Sequence, residues 1–492
     1  MRNKEYLPEL GIGSLFRFAW RQLTSMRTAL MLLLLLAIAS VPGSLIPQRT
    51  QNPMRVQDYF TRNPDLARWL DRFSFFDVYG SPWFSAIYIL LYISLIGCVL
   101  PRSYDHLRAA RARPPITPQY LDRMEFYQSW QGAGIEVDNA REWLKRKHFR
   151  IRENEGSISA EKGYLRETGN LLFHLALVLI LVGVGLGALF GMRGQVIVNV
   201  GERFTNTPAT YDSLSYGKLF SDQSLSPFTL SVDNFVAKYN PITNSPEDYT
   251  LKVTVEAKPG EPKIHHVIKV NSPLSVGGAN VYLQATGYSP VVTVRDKFGM
   301  VVLQGPIPFL PQDGNLTSIG AIKAPDSTPQ LGFVASFLPT AATDKIRGGF
   351  SSFPEALDPK LLFSVWKGDL GLDQGIPQSV YRIDTSKMQK VGLKSLSLGQ
   401  TFTFAEGSIK FDGFVPWVNL SVVRDPGKMY ALIGAILAIL GLLGSLFTRR
   451  RRIWIRCRND GVIEVAGLAK NGAPGLENEI NILVANLKKV RI

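Results

Sequence analysis

The 492-residue chain contains only two cysteines and five histidines. Cys98 falls in an apolar run and Cys457 near the C-terminus, so the sequence between them has no thiol and can neither form a disulfide nor exchange one. A Cys-x-x-Cys-His motif is absent, which excludes a c-type cytochrome, and Gly-x-Ser-x-Gly, phosphate-loop and His-Glu-x-x-His motifs are absent as well. The sequence therefore predicts no self-sufficient catalytic site of these kinds.

Asp, Glu, Lys and Arg are missing from four runs, 28–46, 83–100, 169–190 and 429–447. Each run is long enough to cross a bilayer as a helix. The first is not predicted to be a cleaved signal peptide, because a long basic lead precedes it and its exit, Ser40–Ser44, does not resemble an Ala-x-Ala site. We therefore expect a multi-pass membrane protein with four transmembrane α-helices.

The formal net charge of +15 is concentrated in three segments. Lys and Arg outnumber Asp and Glu by five to two in residues 1–27, thirteen to ten in 101–168 and ten to four in 448–492. Because positive loops stay on the cytoplasmic side, this pattern places both termini in the cytoplasm of a cell-membrane protein. The run Arg449–Arg452 is then expected to contact anionic membrane lipid rather than nucleic acid. The predicted order is a cytoplasmic basic lead (1–27), helix (28–46), extracytoplasmic segment (47–82), helix (83–100), cytoplasmic loop (101–168), helix (169–190), extracytoplasmic β-rich domain (191–428), helix (429–447) and cytoplasmic tail (448–492).

The segment 191–428 has the length of an independent domain and a hydrophobic period of two. Apolar and polar residues alternate in Phe228–Asp233, Tyr249–Glu256 and Thr401–Phe404. This pattern predicts a large all-β domain between the third and fourth spans, either an antiparallel sandwich or a distorted barrel. Loops are expected in the proline-rich stretch Pro306–Pro354.

The third span contains one histidine, His174. An ionisable side chain in such a segment is costly, and a neutral imidazole can bind a metal. On a helix, Asn170 lies one turn before His174 and could accept a hydrogen bond from the ring, fixing its tautomer. His174 is therefore a candidate axial heme ligand or proton relay, and the structural alternative is a histidine bonded to a neighbouring helix for packing.

Gly183, Gly187 and Gly191 follow on the same span at intervals of four residues. No strand precedes them and no soluble helix follows, so a nucleotide-binding interpretation fails. Their spacing instead predicts a smooth groove for close packing against another helix, from this chain or from a partner.

The remaining candidates carry weaker signals. His265 and His266 are neighbours in a strand-like run, where side chains alternate between faces, so the two cannot hold one metal together. His106 lies in the basic loop and is expected to have no site role. Asp425 precedes the fourth span, where it could cap the helix N-terminus.

Several short segments follow one another in the order of one known family. They are Pro42–Gln48, with Ser44 where that family usually has threonine, and Asp77–Phe84, Phe173–Leu177, Val270–Leu274, Val281–Gln284, Arg424–Gly427 and Arg452–Trp454. Together they resemble, over nearly the whole chain, the ResB family of cytochrome c biogenesis proteins of the System II or Ccs pathway.

This resemblance implies a subunit of a holocytochrome c synthase that is not active alone. Such a chain works with a polytopic, Trp-rich partner to move heme b across the membrane and present it to apocytochrome c at Cys-x-x-Cys-His. A thioredoxin-like protein keeps the apocytochrome reduced. His174 matches the family's intramembrane heme ligand, and Asp425 matches a signature aspartate without an assigned role. The second heme ligand would come from the partner or from another residue.

Two other classes of function remain open on the sequence. In the first, the chain is a scaffold whose outer domain holds apocytochrome or the partner, and His174 only packs. In the second, it is a receptor or solute transporter, which four spans without an inverted repeat argue against.

Overall fold

A computed structural model describes residues 11–49, 51, 53–132, 134–163, 165–346, 348–372, 379–469 and 475–489. The first ten residues of the predicted basic lead lie outside these ranges. The chain divides into two compact units, residues 1–185 with 427–492, and residues 186–426. The α-helices are α1 (Ile12–Leu23), α2 (Met26–Leu45), α3 (Pro53–Arg62), α4 (Pro64–Arg72), α5 (Pro82–Arg111), α6 (Ile135–Arg146), α7 (Leu165–Phe190), α8 (Lys428–Phe447) and α9 (Leu476–Lys489).

The described ranges also contain β-strands, numbered here in chain order. They are β1 (Phe126–Gln131), β2 (Arg150–Asn154), β3 (Ser157–Lys162), β4 (Met192–Asn199), β5 (Arg203–Thr205), β6 (Ser213–Tyr216), β7 (Thr229–Tyr239), β8 (Pro246–Glu256), β9 (Ile264–Lys269), β10 (Leu274–Val276), β11 (Ala279–Asp296), β12 (Val301–Pro306), β13 (Leu310–Pro311), β14 (Ser318–Ala324), β15 (Leu331–Leu338), β16 (Ala341–Asp344), β17 (Gly348–Ser351), β18 (Lys360–Lys367), β19 (Gln389–Ser397), β20 (Thr401–Phe404), β21 (Gly407–Arg424), β22 (Arg451–Cys457) and β23 (Val462–Ala469).

Four helices in the described ranges, α2, α5, α7 and α8, are long and apolar enough to cross a membrane. Three of them begin or end within a few residues of the predicted spans. The exception is α5, which continues past Leu100 to Arg111, because Pro101 is accommodated inside the helix. An internal proline removes one main-chain hydrogen bond but does not always end a helix, and membrane helices tolerate it. The extension puts Arg102 and His106 on the same helix as the second span.

The middle loop and the C-terminal tail fold together into one domain, which we call the split domain (residues 126–162 and 451–489). Its antiparallel sheet has the order β1-β23-β22-β3-β2, so the two tail strands lie between strands of the loop. Helices α6 and α9 share a core with the sheet, which includes Leu144, Ile455 and Leu483.

The second unit consists of antiparallel sheets with two hydrophobic cores. Strands β11 and β21 are each 18 residues long and pair along their length. One half of this ribbon packs with the sheet β5-β7-β8-β9, and the other half packs with β13-β14-β15-β18-β19. The expected antiparallel β-rich domain is therefore confirmed, and in the described residues no sheet closes into a barrel.

The proline-rich stretch of this unit has strands as well as the expected loops. The stretch Pro306–Pro354 contains five strands, β13 to β17, rather than loops alone. Proline is compatible with strand ends and with edges of a sheet, where no ladder hydrogen bond is lost. Pro311 follows this rule, because it ends the two-residue edge strand β13.

The split domain predicts a long-range effect of one substitution. Leu483→Ala removes a fully buried side chain of α9 and is expected to cost about 2–5 kcal/mol of domain stability. Limited proteolysis of the full chain should then show faster cleavage within residues 126–162 as well as in the tail. Ile482→Ala, at a neighbouring position that is 47% exposed, is the control and should leave cleavage unchanged. Cleavage of the tail alone would contradict a shared core.

Candidate functional site

The His174 ring is held by a main-chain group one turn earlier on α7. Its Nδ1 atom lies 2.8 Å from the carbonyl oxygen of Asn170. A carbonyl oxygen can only accept, so Nδ1 carries the proton and donates it, and Nε2 keeps its lone pair. The hydrogen bond therefore involves the expected residue, through its main chain rather than its side-chain amide. This tautomer is the one in which Nε2 can bind a metal.

His174 lines a cavity of about 820 Å³ between α2, α5, α7 and α8. This volume is within the roughly 300–1,000 Å³ range of ligand-binding pockets. Hydrocarbon side chains from three of the helices supply much of the lining, among them Leu30, Leu95, Leu177 and Ile180. The cavity therefore suits a largely apolar molecule that carries a few polar groups.

Ionisable side chains cluster at one part of the cavity lining. His106 Nδ1 lies 3.5 Å from Glu167 Oε2, and His106 Nε2 lies 3.3 Å from Thr168 Oγ1. The Arg450 guanidinium pairs with Glu167 at 2.8 Å and also with Glu161. Burial lowers the pKa of Arg450, but hydrogen bonds and charge from Glu161 and Glu167 outweigh burial and raise the pKa above its ordinary value. Arg450 is thus a fixed cation held by two carboxylates.

The sequence interpretation missed His106, which lines the same cavity as His174. The signal that could have identified His106 is the helical spacing of α5 residues, which continues past Pro101. Cavity-lining residues of α5 lie on one helical face, at Leu91, Leu95, the neighbours Cys98 and Val99, Arg102 and His106. Ending the span at Leu100 hid the last two members of this stripe.

Main-chain contact between α7 and α8 closes one side of the helix bundle. A methyl group added at Gly183 would lie 2.7 Å from the Ala431 nitrogen, and one added at Gly441 would lie 2.6 Å from the Phe173 nitrogen. Gly169 and Gly434 are equally crowded by the facing helix. The predicted partner helix of Gly183 is therefore α8 of this chain, packed antiparallel.

The other two glycines of the predicted groove face the segment before α8 rather than the helix. A methyl group at Gly187 would lie 2.8 Å from Asp425 Oδ1, and one at Gly191 would lie 3.3 Å from the Arg424 oxygen. The N-cap residue of α8 is Gly427 rather than Asp425, which lies two residues earlier in the chain. Asp425 instead lies over Gly187, which has no side chain to displace it.

Residues 26–481 match the ResB-like family. Cytochrome c biogenesis protein CcsB of Synechococcus sp. (strain RCC307) is 24% identical over 94% of both chains. CcsB of Synechococcus sp. (strain WH7803) is 26% identical over 94% of this chain and 96% of its own, and ResB of Bacillus subtilis (strain 168) is 25% identical over 95% of this chain and 86% of its own.

The chain belongs to the ResB-like family. It is a membrane protein of cytochrome c biogenesis, a role that implies partner proteins and cytochromes. Two ResB-like segments recognised separately in the sequence meet in the structure. The Gln48 side chain is buried, accepts a hydrogen bond from the Val78 N–H at 3.0 Å and donates to the Phe75 carbonyl at 3.0 Å. Gly43 lies against the Tyr79 ring.

The other histidines of this ResB-like chain lie outside the cavity. His265 and His266 are adjacent and exposed on β9, and His265 Nδ1 lies 2.9 Å from Thr254 Oγ1. Across the ranges that the structure covers, no three His, Cys, Asp or Glu residues converge as a metal site. His174 could therefore supply one ligand to a metal-containing molecule, and further ligands would have to come from elsewhere.

The α7–α8 contact predicts different effects at two neighbouring glycines. Gly183→Val should force the helices apart, costing about 1–3 kcal/mol as overpacking does, and lower the thermal unfolding midpoint of the protein in detergent. Gly185→Val is the matched control, since no atom lies within 4 Å of an added methyl group there and the change in helix propensity is the same. Equal losses at both positions would contradict a specific contact.

Proposed function

We propose that this chain holds heme b in transit across the membrane, with the His174 imidazole as one axial ligand of the iron. The observation that carries the proposal is the tautomer fixed by the Asn170 carbonyl, which leaves Nε2 unprotonated on a residue lining an apolar cavity of about 820 Å³. A porphyrin combines a broad apolar ring with an iron atom that accepts imidazole nitrogen.

Heme is cargo in this proposal, so its binding must be reversible. One histidine of this chain supplies one axial ligand and leaves the opposite face of the iron open. The polytopic, Trp-rich partner supplies the second ligand and receives the heme. His106 is not assigned as this ligand, because its ring nitrogens face Glu167 and Thr168.

The same complex presents heme to apocytochrome c for covalent attachment at Cys-x-x-Cys-His. We assign this chain the role of a subunit of that synthase rather than of a complete lyase. The lack of cysteine between Cys98 and Cys457 supports a separate thioredoxin-like reductant. The distribution of Lys and Arg supports cytoplasmic termini and an outer position for the domain within 191–428.

His174→Gly tests the proposal by removing the imidazole while leaving space for a soluble one. In the complex co-purified with its polytopic partner, the wild-type chain should show a heme Soret band that His174→Gly loses. Added imidazole should restore the band, because free imidazole can occupy the vacated ligand position. The measurement is the absorption spectrum normalised to protein.

His265→Gly is the matched control, because it removes an imidazole whose side chain is 87% exposed on β9. It should leave the heme content unchanged. Equal heme content in wild type and His174→Gly would overturn the proposal, and it would favour a scaffold role in which the ligands belong to the partner.

A further inference from the structure

The charges around the cavity do not cancel. Its ionisable lining residues are Arg102, His106, Arg166, Glu167 and Arg450. Glu167 is shared between His106 and Arg450, and Arg450 is further paired with Glu161. Among the residues that the structure describes, no carboxylate lies within 4 Å of the guanidinium of Arg102 or Arg166. Within the described ranges, two positive charges at the cavity therefore have no anionic partner.

Arg102 is exposed and Arg166 is half-buried, so both guanidiniums are accessible to an anionic molecule that enters the cavity. Arginine does not lose its proton, so neither side chain can become neutral as a buried lysine can. The side-chain contact of Arg102 is with the Met26 sulfur, which is a weak acceptor. Both residues lie just outside the charge-free runs 83–100 and 169–190 of their helices, at the end of the apolar cavity where Glu167 and Arg450 also lie. Two accessible positive charges at the end of an apolar cavity match a molecule that is apolar over most of its length and anionic at one end.

We propose that Arg102 and Arg166 bind the two propionate carboxylates of the porphyrin and so fix its orientation in the cavity. This inference rests on the proposed function, because it takes a porphyrin as the occupant. Two guanidiniums match two carboxylates in charge, and guanidinium–carboxylate pairs form paired, charge-assisted hydrogen bonds. The porphyrin carries both propionates on one edge, so that edge faces the arginines and the opposite apolar edge faces the leucines.

The spacing along α7 allows both contacts at once. Arg166 precedes His174 by eight residues, which is about 12 Å along a helix axis. The iron lies at the porphyrin centre and the carboxylates lie beyond the ring edge, so one molecule extends from the imidazole toward the helix end. His174 then holds the iron while Arg102 and Arg166 hold the edge. The carboxylate contacts do not require iron, and that property separates them experimentally from ligation by His174.

The test compares two iron-free porphyrins, protoporphyrin IX and its dimethyl ester, which has no negative charge. Each is titrated into the purified full chain in neutral detergent, and binding is followed by porphyrin fluorescence. The wild-type chain should bind the free acid at least about tenfold more tightly than the ester, as hydrogen bonds to charged groups predict. Equal affinity for the two porphyrins would overturn the proposal without any variant.

Variants then locate the carboxylate contact. The double variant Arg102→Gln with Arg166→Gln should bind both porphyrins with the affinity that the wild-type chain has for the ester. Arg108→Gln removes the same charge from an exposed position of α5 outside the cavity lining and should keep the preference. No iron is present in these titrations, so their outcome does not depend on ligation by His174, and failure of iron ligation and failure of carboxylate binding are distinguishable. If the double variant still prefers the free acid to the ester, the proposal is overturned. If it has also lost anionic phospholipid that co-purifies with the wild-type chain, the arginines bind lipid instead.

Discussion

The direct approach of α7 and α8 is the constraint on which the candidate site depends. Both helices are apolar, so burial against each other removes no more water than burial against lipid, and association has to come from close packing. Gly169 and Gly183 on α7 face Gly441 and Ala431 on α8 at distances that only small residues permit. This antiparallel alignment brings the chain that leaves α8 beside the first turn of α7. Arg450 can then reach Glu167 and close one side of the cavity.

Arg450 also connects the cavity to the split domain. It lies immediately before β22 and pairs with Glu161 on β3, a neighbouring strand of the same sheet, as well as with Glu167 on α7. Glu161 is nearly fully buried, so removal of Arg450 would leave a buried carboxylate with less compensation. A rearrangement of the split domain that moved β22 would therefore also disturb the hydrogen bonds of Glu167 and His106 at the cavity.

Local sequence patterns were sufficient for those features that depend on neighbouring residues. Hydrophobic length identified the four spans, and helical spacing linked His174 to Asn170. Alternation identified β7, β8 and β20. The pairing of β1 with β23 joins residues more than 300 positions apart, and no periodicity within either segment carries that information.

The site was predictable only in part for a related reason. A lone histidine in an apolar run is visible in the sequence. The significance of His106 depends on α5 continuing through Pro101 and on the contact of Glu167 with Arg450, which follows α8. The Arg449–Arg452 run shows the same limit. Arg450 and Arg452 lie beside Glu161, and Arg451 pairs with Glu479, so these charges help to assemble the split domain and are not simply available to lipid.

The proposed site combines two kinds of group with different chemical freedom. The imidazole of His174 can exchange its metal, whereas an arginine guanidinium, as at Arg102 and Arg166, does not lose its charge. A porphyrin held by both kinds of group cannot be released by neutralising the arginines. Its release would have to begin with loss of the iron–imidazole bond or with separation of α5 and α7, which carry the two arginines. Transfer to a partner that offers a new iron ligand provides the first route, and the open face of a singly ligated iron is where that exchange would begin.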